Sequence, residues 1–205
     1  CSLRPNEDRF CLVCKTIVDK NGTLKNSTFF EALINSKARL TYERLSDEIE
    51  QNKLHKIYSK SIKNLLEIYE RLKRNKEKRG ALELEVPFYV PKFNNDKIIK
   101  FISSPRTLSH MMIEEFMLAA NIATAEICLK LDMPSLYRVH PKPELLKINH
   151  LKDFIRSRRI NTKLDEGNSV NQLSKLVEIT EDRKDKGIIH LQILQSLSLA
   201  TYEAE

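Results

Sequence analysis

TLSHMMIEEFMLAANIATAEICLKL, residues 107–131, is the stretch on which the fold turns. Its apolar side chains, among them Leu108, Met111, Met112, Ile113, Phe116, Met117, Leu118, Ile122, Ile127 and Leu129, cover nearly the whole circumference of a helix. That pattern predicts a helix buried in a larger domain rather than lying on its surface. The few polar residues then carry the information. Glu114 and Asn121 are seven residues apart and sit almost one above the other, while Glu115 and Glu126, eleven apart, form a second stripe a quarter turn away. A buried, unpaired carboxylate is costly, so one stripe is the solvated edge and the other finds partners inside. An inward stripe is either an internal hydrogen-bonded network or the wall of a cavity holding a substrate hydroxyl, and spacing alone leaves both open.

Outward from this helix the chain alternates between short extended pieces and helices. Phe10 to Asp19 and Leu24 to Leu33 are apolar runs separated by Asn21-Gly22, a pairing that predicts a β-hairpin with a tight turn at positive φ. From Tyr42 to about Arg79 the apolar residues keep helical spacing, closing on a basic run from Arg71 to Arg79 before Gly80. Cations there complement a helix C-terminus, and they also suit an RNA backbone. Leu82 to Val90 and Ile98 to Ile102 read as strands, the first interrupted or ended by Pro87 and Pro91. Pro105 opens the central helix, which stops before Pro134. Ser135 to His140 is extended, and further helices are expected at Glu144 to Arg158, Ser169 to Thr180 and Gly187 to Tyr202. The class is α+β: a hairpin and short strands, then a helix-rich C-terminal half.

The 205 residues suit one domain or a large piece of one, and 41% hydrophobic content excludes a disordered tail. Thirty-five Lys and Arg against 28 Asp and Glu give a net charge of +7, which favours polyanionic partners. No apolar run approaches the roughly 18 residues of a membrane span, and no signal peptide opens the chain, so a cytoplasmic protein without a membrane partner is expected. The chain begins at Cys1 and stops at Tyr202-Glu203-Ala204-Glu205 inside a helical pattern, so both ends read as cuts. Cys11-Leu12-Val13-Cys14 invites a metal or redox reading, but residues three apart on a strand point opposite ways and no second pair completes a zinc set. Reduced structural thiols, and no metal ligands within this segment, are the expectation.

Four blocks in order carry a specific resemblance. Ile113-Glu114-Glu115-Phe116-Met117-Leu118-Ala119-Ala120-Asn121 and Pro134-Ser135-Leu136-Tyr137-Arg138-Val139-His140-Pro141 resemble the Glu-Glu-x-Met-x-x-Ala-Asn and Leu-Tyr-Arg-Val-His motifs of the ribonuclease II and ribonuclease R family. Cys1-Ser2-Leu3-Arg4-Pro5-Asn6-Glu7-Asp8-Arg9 and Ser36-Lys37-Ala38-Arg39-Leu40-Thr41-Tyr42 look like two further family blocks. Arg79-Gly80-Ala81-Leu82 also fits, and the whole leans toward the ribonuclease R branch. The resemblance identifies residues 1–205 as the central part of an RNB exoribonuclease catalytic domain, truncated at both ends. It implies a magnesium-dependent hydrolase that degrades single-stranded RNA processively from the 3′ end to nucleoside monophosphates. The parent protein is expected to be monomeric, with flanking OB-fold RNA-binding domains. The alternative is a non-catalytic RNA-binding protein that keeps the fold.

The family's metal-binding Asp-x-Asp-Asp cluster would lie upstream of Cys1 and its arginine block downstream of Glu205, so no catalytic residue and no Mg2+ ligand is expected here, and the isolated segment should be inactive. The resemblance implies RNA-binding roles instead. Tyr42 matches a tyrosine that packs beside the terminal nucleotide, and Glu114 one that accepts a hydrogen bond from ribose, which makes the Glu114–Asn121 stripe the inward one. Leu84 departs from the family, which carries a stacking phenylalanine near that position, so either stacking is weaker or another residue such as Phe88 substitutes. Arg138 and His140 alternate on an extended piece and face one way. They either reach phosphate or hydrogen-bond neighbouring backbone.

Overall fold

A computed structural model describes residues 2–162 apart from 85, 87, 104 and 105, together with 164 and 170–204. The chain divides into two compact units, Cys1–Glu77 with Arg106–Pro134, and Lys78–Pro105 with Ser135–Glu205. The α+β class holds throughout, with small two-stranded sheets among the helices.

The first unit opens with β1 (Asp8–Val18) and β2 (Leu24–Asn35), an antiparallel hairpin whose register runs from Asp8 opposite Asn35 to Val18 opposite Leu24. Its turn is not the tight two-residue form that Asn21-Gly22 suggests. Gly22 has φ +79 and Asn21 is not at positive φ, while the Gly22 N–H donates to the Asp19 carbonyl at 3.1 Å. Asp19 Oδ1 accepts from the N–H groups of Asn21 (2.8 Å) and Thr23 (3.0 Å), so the carboxylate organises the loop. Those bonds, Thr23 first, hold the Asp19 carboxyl below the ordinary carboxylate range.

The single helical run expected from Tyr42 to Arg79 is two helices, α1 (Tyr42–Glu50) and α2 (Ser59–Lys78). The break has a local cause. The Gln51 N–H donates to the Asp47 carbonyl and the Asn52 N–H to the Ile49 carbonyl, and Asn52 sits at φ +53, the left-handed position that ends helices. Tyr58 then folds back, its hydroxyl donating to Glu48 Oε2 at 2.6 Å while Arg44 Nε donates to Oε1 at 2.8 Å. Tyr58, then Arg44, keep the Glu48 carboxyl low, and Glu48 pushes the Tyr58 phenol up.

The central helix, α3 (Leu108–Lys130), follows the expected bounds within a residue; Pro105 lies outside the described residues. Ser109, Met112, Glu115, Ala119 and Ala123 recur at helical spacing and are its buried face. Met112 joins Leu45, Ile62 and Tyr69 in the core of this unit, with Leu40, Leu66 and Phe116 packed around it. Full burial is not reached: Ile113, Met117, Leu118, Ile122 and Leu129 are exposed.

In the second unit β3 (Tyr89–Asn94) and β4 (Lys97–Ser103) form a hairpin turned at Asn95 and Asp96, both at positive φ. The first of these strands therefore starts later than Leu82. Pro91 lies within it and Pro87 outside the described residues. Leu82 and Leu84 instead pack against a core of Leu151, Ile155, Leu173, Leu176, Ile189 and Ile193. Those residues come from α4 (Leu145–Ser157), α5 (Val170–Thr180) and α6 (Lys186–Ser196). Between the hairpin and these helices runs β5 (Leu136–Val139), as the sequence suggests. The last expected helix ends early, however. Residues after Ser196 leave α6 and become β6 (Thr201–Ala204), which pairs with β5 from Leu136 opposite Ala204 to Val139 opposite Thr201.

Candidate functional site

In the first unit the site is built where the N-termini of α1 and α3 meet. Thr41 caps α1, its hydroxyl accepting from the Arg44 N–H, so Tyr42 occupies the first helical position. One turn on, the Ser46 and Ser109 hydroxyls lie 2.8 Å apart and the Ser109 N–H donates to Ser46 Oγ at 3.3 Å, all buried. This bolt fixes α1 against α3 one residue from His110. The consequence is a ring stack: Tyr42 and His110 have centroids 3.9 Å apart and planes 18° from parallel. Thr107, at the cap position of α3, does not cap that helix with its side chain; its hydroxyl shares a 2.7 Å hydrogen bond with His110 Nδ1. Tyr42 keeps 42% of its surface exposed.

Glu114 lies four residues beyond His110, hence beside it on the helix surface. It pairs with Arg106, and both side chains are well exposed. Asn121, two turns further, is exposed. The expected inward stripe is therefore the other one. Glu115 is only 6% exposed and accepts a 2.7 Å bond from Lys76 Nζ on α2. The reason is its neighbours: Ser109, Ala119 and Ala123 are small, and their face is the one that packs. Glu126, its stripe partner, remains exposed.

Tyr42 stacks on His110, and Glu114 lies one helical turn from His110 on α3. Arg138 and His140 belong to the second unit. Both are exposed, as alternation along β5 requires. Arg138 stands opposite Tyr202 in the β5–β6 register, its guanidinium 5.7 Å from the Tyr202 ring centroid. His140 Nδ1 donates to the Ser198 carbonyl at 3.2 Å, the backbone contact that was one of its two readings. Leu84 is committed to packing, and Phe88 is 65% exposed.

His110, Arg106 and Tyr202 escaped the sequence reading. His110 and Glu114 at helical spacing were the available signal for the first. Tyr202 had none, because its partner is set by strand pairing. Among the described residues no group of three or more His, Cys, Asp or Glu is placed to hold a metal ion, so the donor set for one does not fit here. Cys11, Cys14 and Cys128 are free thiols.

Comparison with known proteins matches the RNB domain to residues 1–205. Ribonuclease R of Vibrio parahaemolyticus is 33% identical over 210 residues, covering 100% of this chain and 25% of that protein. Ribonuclease R of Escherichia coli is 32% identical over 212 residues, covering 100% and 26%. The chain spans about a quarter of the length of these relatives. Among solved structures, the apo form of Mycoplasma genitalium RNase R superposes with a TM-score of 0.92 at 22% identity, covering 99% of this chain and 32% of that one. Yeast Ssd1, a pseudonuclease, gives 0.67 at 20% identity, covering 98% and 24%. Sequence motifs, whole-chain match and fold agree: the chain belongs to the RNB domain family.

Proposed function

We infer that the protein carrying this chain is a 3′-to-5′ exoribonuclease that hydrolyses single-stranded RNA processively to nucleoside monophosphates, and that residues 1–205 form walls of its RNA path. The observation that carries the reading is the match of the whole chain to the RNB domain, with ribonuclease R relatives aligned along all of this chain and about a quarter of their own length. The Tyr42–His110 stack, with Glu114 one helical turn from His110, supports it: an aromatic face suits any base, and a carboxylate suits a ribose hydroxyl. Asn121, Arg138 and His140 are proposed as further RNA contacts. Solved structures of Mycoplasma genitalium RNase R with methylated single-stranded RNA and with double-stranded RNA lend the same support for an RNA partner.

Magnesium, when bound to ligands outside these residues, would activate water and stabilise the leaving oxyanion. The chain's own residues hold and orient the strand. We place the parent protein in the cytoplasm as a monomer with OB-fold domains; among the described residues no helix is long and apolar enough to cross a membrane.

The test uses the complete protein, magnesium and 5′-labelled single-stranded RNA. Shortening from the 3′ end is expected with the complete protein, and no shortening with the 205-residue chain alone. RNA binding without shortening would instead support a non-catalytic member, the reading favoured by the likeness to the pseudonuclease Ssd1.

A further inference from the structure

We propose that His110 is a positioning residue for the nucleotide site: it backs the Tyr42 ring, so that a base stacks on the opposite ring face alone. The inference rests on the RNA-holding reading of Tyr42 and extends it to a residue that no motif singled out.

A lone exposed tyrosine makes a poor platform, since ordering its side chain on binding offsets part of the stacking gain. Tyr42 is ordered in advance. The two rings lie 3.9 Å apart and within 18° of parallel, which places the imidazole flat against one face of the phenol. His110 is itself held by the 2.7 Å bond between Nδ1 and Thr107 Oγ1. The helices that carry the two rings are joined by the buried Ser46–Ser109 contacts. His110 occupies one face of the Tyr42 ring, which leaves the other face for a base, and Tyr42 as a whole is 42% exposed. The ligand class that fits is a single nucleobase of any identity, since every base has a π-face. Glu114 lies one turn along α3 from His110.

The experiment reads stacking rather than turnover. A short single-stranded RNA carrying 2-aminopurine as its 3′-terminal base is titrated with the complete protein, with calcium in place of magnesium to suppress cleavage, and its fluorescence quenching and Kd are recorded. Wild type should quench. Tyr42→Ala should abolish the quenching. His110→Ala should do nearly the same and weaken Kd on the order of tenfold. His110→Phe, which keeps a flat ring behind Tyr42, should restore both. If His110→Ala is unfolded by circular dichroism, His110→Leu, which fills the volume without a flat ring, takes its place with the same expectation. Quenching that survives in His110→Ala or His110→Leu while Tyr42→Ala loses it overturns the backing role and leaves the Tyr42 reading intact. Quenching that survives in Tyr42→Ala, or wild type that does not bind, overturns that reading and the present inference together.

Discussion

Lys76 Nζ on α2 lies 2.7 Å from Glu115 Oε1 on α3, and both side chains are about nine-tenths buried. Among the carboxylates of the Glu114-Glu115 pair, it is Glu115 that makes a buried ion pair in the first unit. Removing one member of a buried ion pair typically costs about 3 to 5 kcal/mol, because the other charge stays out of water. Glu115→Ala should therefore lower the urea midpoint of the chain sharply. Glu115→Gln retains an acceptor and should cost less. A midpoint that moves by under about 0.5 kcal/mol equivalent in both would show that the pair is not a stabilising contact.

Burial in that pair sets Glu115 apart from its neighbour Glu114. Glu115→Ala cannot serve as its neighbour control, since it would perturb the fold; the exposed Glu126 can. In the complete protein, Glu114→Ala is expected to slow RNA cleavage about tenfold to a hundredfold, the loss of one hydrogen bond to a charged acceptor. It should also narrow the preference for RNA over strands with one deoxyribose at the contacted position, because DNA lacks the 2′-hydroxyl. Glu126→Ala should leave both unchanged. An equal slowing of RNA and chimera by Glu114→Ala would assign Glu114 to its pair with Arg106 rather than to the sugar.

Gly22 docks the β1–β2 turn on α2. A Cβ at this position would meet the Arg71 carbonyl oxygen at 2.2 Å, and Asn75 Nδ2 donates to the Gly22 carbonyl at 2.8 Å. Gly22→Ala combines a left-handed backbone, about 1 to 2 kcal/mol for a residue with a Cβ, with a clash against helix backbone. The turn must lift off. Thermal unfolding should start earlier, and amide exchange in the strands near the turn should quicken. Asn75→Ala should show a milder version, on the order of 1 kcal/mol.

Asp19 makes the same turn sensitive to acid. Its folded-state pKa is lowered from 3.8 by the Thr23 and Asn21 N–H bonds and by Lys25. The stabilisation is thus complete above the unfolded value, about 3.9, and is lost as pH falls through the folded one. In unfolding midpoints measured from about pH 6 down to about pH 2, the share that Asp19 contributes should be lost only below about pH 4. Asp19→Asn keeps an acceptor oxygen but does not titrate, so its acid limb should be flatter. An Asp19→Asn curve parallel to wild type throughout would exclude Asp19 as a source of the drop.

Local chemistry made much of this protein legible. Alternation and the Asn-Gly signal located the first hairpin, and the apolar circumference and flanking prolines bounded α3 nearly to the residue, because these depend on a few neighbouring side chains. The family blocks around Glu114 and Arg138 were equally readable. Two further local signals, Asn52 at the end of α1 and Asn95-Asp96 at the turn of the second hairpin, lie outside the apolar patterning. Which carboxylate of Glu114-Glu115 faces inward, whether Thr201–Ala204 extends a helix or pairs with Leu136–Val139, and which ring backs Tyr42 were decided only by the tertiary structure. Each depends on which face meets a partner distant in sequence. Lys76 reaches Glu115 from α2, and no spacing within one helix could have supplied that partner.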